Sequence, residues 1–167
     1  MIRTIDDFAR LWSQELEATQ KILKHLTTES LSRSLVPNSR TIGRVAWHLT
    51  TSLPEMMERV GLTFEGISPD APLPATAKEI FNAYSSAAIA ILDNVKRSWT
   101  DETLQVEDEM YGEKWKRGTT LLVLVLHQTH HRAQLTVLMR AAGLPVPGVY
   151  GPAQEEWKAY GMEPPAV

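Results

Sequence analysis

Apolar residues recur at intervals of three and four along four segments of the chain, which is the spacing of one face of an α-helix. The segments run from Ile5 to Leu26, from Ile42 to Val60, from Ile80 to Val95 and from Leu121 to Met139. Because amphipathic helices bury their apolar faces against one another, this pattern predicts an all-α fold. We expect a four-helix bundle with a short C-terminal extension.

Polar and glycine residues mark where these helices begin and end. A hydroxyl residue followed three positions later by a carboxylate predicts a capping box at Thr4 and another at Thr76. Gly61 can take the left-handed conformation that terminates many helices, so the second helix is predicted from about Ser39 to about Val60. The third helix is predicted to end near Trp99.

Proline and charge distinguish the connecting segments. Three prolines between Ile67 and Pro74 indicate an extended linker, whereas Pro54 should kink the second helix just beyond His48 without ending it. The charged segment from Thr100 to Gly118 is predicted as a loop or a short hairpin. A further short helix is expected between Ala153 and Tyr160.

Length and charge limit the classes of protein to which the chain can belong. Its 167 residues suit a single domain covering residues 1–167. The net charge is −3 and the basic residues are scattered, so a nucleic-acid partner is not expected. The longest aliphatic run, Leu121 to Leu126, is too short to cross a bilayer, and no signal peptide is visible. We therefore expect a soluble cytoplasmic protein with no membrane partner.

The chain contains no cysteine, which excludes disulfides, zinc-thiolate sites and a protein thiol nucleophile. Any metal ion must therefore bind to nitrogen and oxygen ligands. His127 and His131 are four residues apart, so their imidazoles leave the same face of the fourth helix. His48 lies in the apolar stripe of the second helix and is the natural third ligand. Such a site would keep a coordination position open for water or substrate.

Histidine pairs at this spacing also occur on solvated helix surfaces, so ordinary core or surface histidines are the alternative interpretation. The metal interpretation is favoured because burying an unpaired imidazole costs roughly 1–3 kcal/mol, which a bound ion would remove. His130 is rotated by about 100° from its neighbour on the helix and should not share the ion. We expect it at a helix or subunit contact, and we expect His25 to be structural or surface-exposed.

Further polar residues lie on the predicted ligand faces. Gln134 could orient an imidazole or a bound water, and Glu55 could act as a general base, so both are catalytic candidates. Arg44 and Arg132 could meet an anionic substrate, but a solvated surface position is the favoured interpretation for each.

The segment HQTHHRAQL at residues 127–135, preceded by an isolated histidine in RVAWHLT at residues 44–50, resembles the DinB-like (YfiT-like) superfamily of metal-dependent enzymes. The resemblance extends over nearly the whole chain, including the closing stretch Val146 to Pro152. It implies an up-down-down-up four-helix bundle, often a homodimer, with a metal site matching His48, His127 and His131. Ala133 departs from the family pattern, in which glycine often follows the arginine.

Characterised relatives in this superfamily include thiol transferases and isomerases that use bacillithiol or mycothiol, with zinc or nickel among the bound metals. The resemblance therefore implies a transferase that acts on a small-molecule substrate with a low-molecular-weight thiol activated at the three-histidine site. Two alternatives remain open. One is a metal-dependent hydrolase with Glu55 as general base, and the other is a non-catalytic metal-binding protein of stress response or storage.

Overall fold

Four long helices account for most of the structure, a computed structural model that describes residues 1–63 and 67–166. The helices are α1 (Ile5–Leu23), α2 (Ile42–Glu58), α3 (Ala77–Ser98) and α4 (Arg117–Ala141). Helix α1 packs against α3 and α4, and α2 packs against the same two helices, so the four form a ring. The predicted all-α four-helix bundle is confirmed.

Pairs of contacts give the direction of each helix. Ile2, just before α1, donates its amide to Gly118 at the start of α4, and Glu15 of α1 contacts Arg132 further along α4, so these helices are parallel. Helix α3 is antiparallel to α1, and α2 is antiparallel to α4, as the following pairs show: Trp12 with Ala88, Gln20 with Ser85, His48 with His131, and Gln128 with Ser52. The topology is therefore up-down-down-up.

Threonine hydroxyls cap the first three helices. Thr76 and Glu79 form the complete capping box that the sequence predicts, whereas Thr4 only accepts from the amide of Asp7. Helix α2 begins at Ile42, later than the predicted Ser39, because Thr41 is extended and its hydroxyl accepts from the amide of Arg44. It passes through Pro54 and ends at Glu58, two residues before Val60, while Gly61 has the expected positive φ of 74°. The predicted kink beyond His48 remains a prediction.

The charged segment before α4 is a hairpin. Strand β1 (Glu107–Met110) pairs antiparallel with β2 (Glu113–Lys116), after a 3-10 turn at Thr103–Gln105. Helix α4 follows β2 directly. In the tail, a short helix was predicted between Ala153 and Tyr160, and the structure has a 3-10 turn at Trp157–Tyr160 only. Within the described ranges, no helix is long and apolar enough to span a membrane.

Candidate metal centre

The antiparallel packing of α2 and α4 brings the three predicted histidine ligands together. The ring centroids of His48 lie 5.0 Å from His127 and 4.5 Å from His131, and those of His127 and His131 lie 4.4 Å apart. One nitrogen from each ring can be chosen so that all three lie within 4.8 Å of one another. Two nitrogens that share a zinc ion can be at most about 4.2 Å apart, so this spacing is close to that of a ligand set.

All three imidazoles are poised in the neutral form that binds metal ions. Burial, together with the neighbouring His131, lowers the pKa of His48 and of His127 to about 4. Burial is also the main cause that lowers the pKa of His131. Because these values lie well below neutrality for His48 and His127, their ring lone pairs are free at pH 7.

Gln134 fixes the orientation of one of the rings. Its Oε1 lies 2.8 Å from Nδ1 of His131, so Nδ1 carries the hydrogen and Nε2 remains available as a ligand. The expectation that this amide could orient an imidazole therefore agrees with the contact. A catalytic role for Gln134 remains a prediction.

Gln128 also positions the site, although sequence reasoning missed it. Its side chain is fully buried, and Nε2 donates to the carbonyl of Leu49 at 3.0 Å, which ties α4 to α2 beside His48. A signal was present in the sequence, because Gln128 follows Leu121 and Leu124 at the intervals of the core stripe. A polar residue on such a stripe indicates a specific buried partner.

Arg132 corrects the expectation of a solvated surface residue. Only 2% of it is exposed, and its Nη2 lies 2.6 Å from Oε2 of the buried Glu15 on α1. It also donates to Thr19 and to the hydroxyl of Tyr150 in the tail. Arg132 points into the core because it lies one residue after His131, and this step of about 100° turns it from α2 towards α1.

Both oxygens of Glu55 accept hydrogen bonds. Oε1 accepts from Nε of Arg59 at 2.7 Å, and Oε2 accepts from the hydroxyl of Tyr111 at 2.7 Å. Glu55 nevertheless lines a cavity together with two of the histidines. Its role as a general base remains a prediction.

Two cavities open beside His48. The first, of about 460 Å³, is lined by His127, Glu55 and Tyr111, and the second, of about 400 Å³, by Arg40 and Arg44. Both share the following four lining residues: His48, Thr51, Pro69 and Asp70. Small molecules could therefore approach the histidines from an acceptor-rich side and from a cationic side. Arg44 is exposed, as expected.

The two remaining histidines lie outside the cluster. His130 is exposed, and its ring centroid is 4.8 Å from that of His131, which leaves its predicted subunit contact as a prediction. Nδ1 of His25 lies 2.8 Å from the carbonyl oxygen of Lys21, which fits a structural role.

Comparison with known proteins agrees with this arrangement. The family model described as DinB family matches residues 1–165. The chain belongs to the DinB family. This DinB protein is 43% identical to YrdA of Bacillus subtilis, described as an uncharacterized protein, and the match covers 100% of both chains.

Two solved structures show the same fold. The crystal structure of a DinB-like protein from Bacillus cereus has a TM-score of 0.86 and 44% identity, and the match covers 90% of this chain and 100% of that one. A second DinB-like protein, YjoA of Bacillus subtilis, has a TM-score of 0.66 at 20% identity, with 84% of this chain and 96% of that one covered. The second likeness concerns the fold alone.

The residues of this DinB protein fit a divalent metal ion. Nδ1 of His127 is buried and has no hydrogen-bond partner in the described part of the chain, so its hydrogen-bonding capacity is unused. Tyr84, Thr120 and Gln128 also carry an unpaired buried atom, but of these four described residues His127 alone belongs to a cluster that could hold a metal ion. A set of three neutral imidazoles suits zinc and nickel, which both accept nitrogen ligands.

Proposed function

We propose that the chain is a metal-dependent transferase that holds one divalent ion, zinc or nickel, at His48, His127 and His131. Its cosubstrate would be a low-molecular-weight thiol, as the family resemblance implies. The observation that carries this proposal is a cluster of three neutral imidazoles that borders two cavities in a chain without cysteine. A bound divalent ion would lower the pKa of a thiol and so supply thiolate near neutral pH.

The composition of the cluster favours chemistry over a purely structural ion. Structural zinc sites usually have four protein ligands, whereas catalytic sites have three and keep one position open. Over residues 1–63 and 67–166, the cluster contains three side chains that could bind a metal, and the cavity of about 460 Å³ begins at two of them. A small molecule can therefore reach the site.

Different residues of the chain would bind the two substrates. Arg40 and Arg44 line the second cavity, and neither has an ion pair with a described residue, so this side would hold the anionic part of the thiol cosubstrate. The electrophile would occupy the cavity beside Glu55. In the reaction, sulfur forms a bond to the electrophilic carbon, the leaving group departs with its electron pair, and water takes the thiol proton.

A first experiment tests the metal ligands by elemental analysis of purified, untagged protein. We expect near-stoichiometric zinc or nickel in the wild type and little in a His48→Ala, His127→Ala double variant. The matched control is a His25→Ala, His130→Ala double variant, which loses two histidines outside the cluster and should keep the metal. Equal metal contents in the two double variants, or no metal in the wild type after reconstitution, would contradict the proposed site.

The same preparation tests the thiol. After cobalt substitution, 2-mercaptoethanol should change the visible absorption spectrum, because thiolate ligation alters the cobalt transitions. An unchanged spectrum at saturating thiol would contradict the proposed transferase activity but not the proposed metal site. Homodimer formation, which is part of this proposal by resemblance, is checked on the same samples by light scattering.

A further inference from the structure

The tip of the hairpin holds a tyrosine in an unfavourable backbone conformation. Strands β1 and β2 are joined by two residues, Tyr111 and Gly112, whose φ angles are 55° and 87°. Positive φ at both positions characterises the type I′ hairpin turn, in which asparagine followed by glycine is preferred. Gly112 suits this turn, whereas a bulky aromatic residue at positive φ is uncommon and strained. Such strain persists where surrounding contacts impose it, and it is a pointer to function.

Burial does not account for this tyrosine, because 53% of it is exposed. Polar contacts hold it instead. Its hydroxyl donates to Oε2 of Glu55 at 2.7 Å, and Glu55 lies 56 positions earlier on α2. The guanidinium carbon of Arg59 lies 4.6 Å from the tyrosine ring centroid, while Nε of Arg59 donates to Oε1 of Glu55. The three side chains form a clasp between the hairpin and α2.

The clasp faces the candidate metal centre. Glu55 and Tyr111 line the cavity of about 460 Å³ together with His48 and His127. Because both oxygens of Glu55 already accept hydrogen bonds, this carboxylate orients the tyrosine. The tyrosine hydroxyl has given its hydrogen to Glu55, so its oxygen can only accept from a ligand. Asp70 adds further acceptors, and the hydroxyl residues Thr51 and Ser52 also line the cavity. The rest of its walls are apolar: Met56, Pro69 and Val123.

We propose that Tyr111 contacts the electrophilic substrate and, oriented by Glu55, accepts a hydrogen bond from its hydroxyl or N–H group. The substrate class is thus an electrophile that has an apolar body and a hydrogen-bond donor. That the ligand contacted by Tyr111 is a substrate rests on the proposed function. The preference for donor-bearing ligands itself requires neither thiol nor turnover, so it can be measured separately.

The experiment compares two probes of similar shape, benzyl alcohol and benzyl methyl ether, of which only the alcohol can donate. Their affinities for the full chain, as purified with its metal content determined, are measured by ligand-observed NMR titration. One hydrogen bond corresponds to a preference of about fivefold for the alcohol. This preference should fall to about onefold in Tyr111→Phe, which keeps the ring. The matched control, Tyr160→Phe, changes an exposed tyrosine outside this cavity and should keep it.

Equal affinities of the wild type for the two probes would overturn the proposal, as would a preference that survives Tyr111→Phe. If Tyr111→Phe melts well below the wild type, Tyr111→Gly provides the second test, because glycine takes positive φ without strain and has no side-chain acceptor. Loss of the preference in that variant supports the proposal, and retention overturns it. A thiol that leaves the cobalt spectrum unchanged would instead refute the proposed function, whatever the probes show.

Discussion

Replacing Arg132 with methionine should strongly destabilise the bundle. The side chains of Arg132 and Glu15 are only 3% and 5% exposed, and they meet at 2.6 Å. Removing one partner of a buried ion pair typically costs about 3–5 kcal/mol, because the other charge is left buried and uncompensated. Tyr150 still donates to Glu15, so we expect the lower end, about 3 kcal/mol. For a chain of this size, that loss corresponds to a melting temperature about 6–12 °C lower.

Urea unfolding followed by circular dichroism measures this cost, and a double-mutant cycle assigns it to the pair. Because hydrophobic replacement of a whole buried pair is often neutral, Glu15→Leu with Arg132→Met should recover to within about 1 kcal/mol of the wild type. The matched control is Arg140→Met, which removes an exposed pair with Glu155 and should cost about 0–1 kcal/mol. The reasoning is refuted if Arg132→Met costs no more than Arg140→Met, or if the double variant is no more stable than Arg132→Met.

Two further predictions concern pH and packing. In the metal-free protein, the pKa values of His48 and His127 are about 4, below the ordinary 6.5, so the unfolded chain binds more protons between these values. The free energy of unfolding should therefore fall as the pH decreases from 6.5 towards 4; urea titrations showing constant stability over this range would contradict the assigned burial. Separately, a Cβ at Gly118 would overlap the carbonyl oxygen of Ile2, so Gly118→Ala should lose about 1–3 kcal/mol by thermal unfolding. An unchanged melting temperature would show that the N-terminal segment moves aside freely.

Most of the fold follows from the sequence because it depends on local periodicity. The apolar intervals of three and four define all four helices, and the hydroxyl residues Thr4 and Thr76 cap their helices as predicted. The start of α2 was predicted at about Ser39 but lies at Ile42, since Ser39 and Thr41 both offer a hydroxyl and only the backbone conformation decides between them. The sequence did not decide between a loop and a hairpin for the segment before α4, because each strand has only four residues.

The candidate site was predictable only where its signal is local. The spacing of His127 and His131 indicates a shared helix face, and the isolated His48 supplies the third nitrogen. Contacts between distant segments have no comparable signal in the sequence. Tyr111 reaches Glu55 across 56 positions, and Arg132 reaches Glu15 across 117, so neither pairing is visible in a periodic pattern. An arginine beside a predicted ligand consequently looked like a surface residue.

Residues that do not touch the candidate metal position hold α4 in the rotation the site needs. Gln128 bonds to the carbonyl of Leu49 on α2, while Arg132 bonds to Glu15 on α1. Gln128 lies within the interval from His127 to His131 and Arg132 lies one residue beyond it, and each constrains rotation of α4 about its axis. With both in place, the imidazoles face His48. Metal affinity should therefore depend on the buried pair of Arg132 and Glu15 even though that pair lies against a different helix.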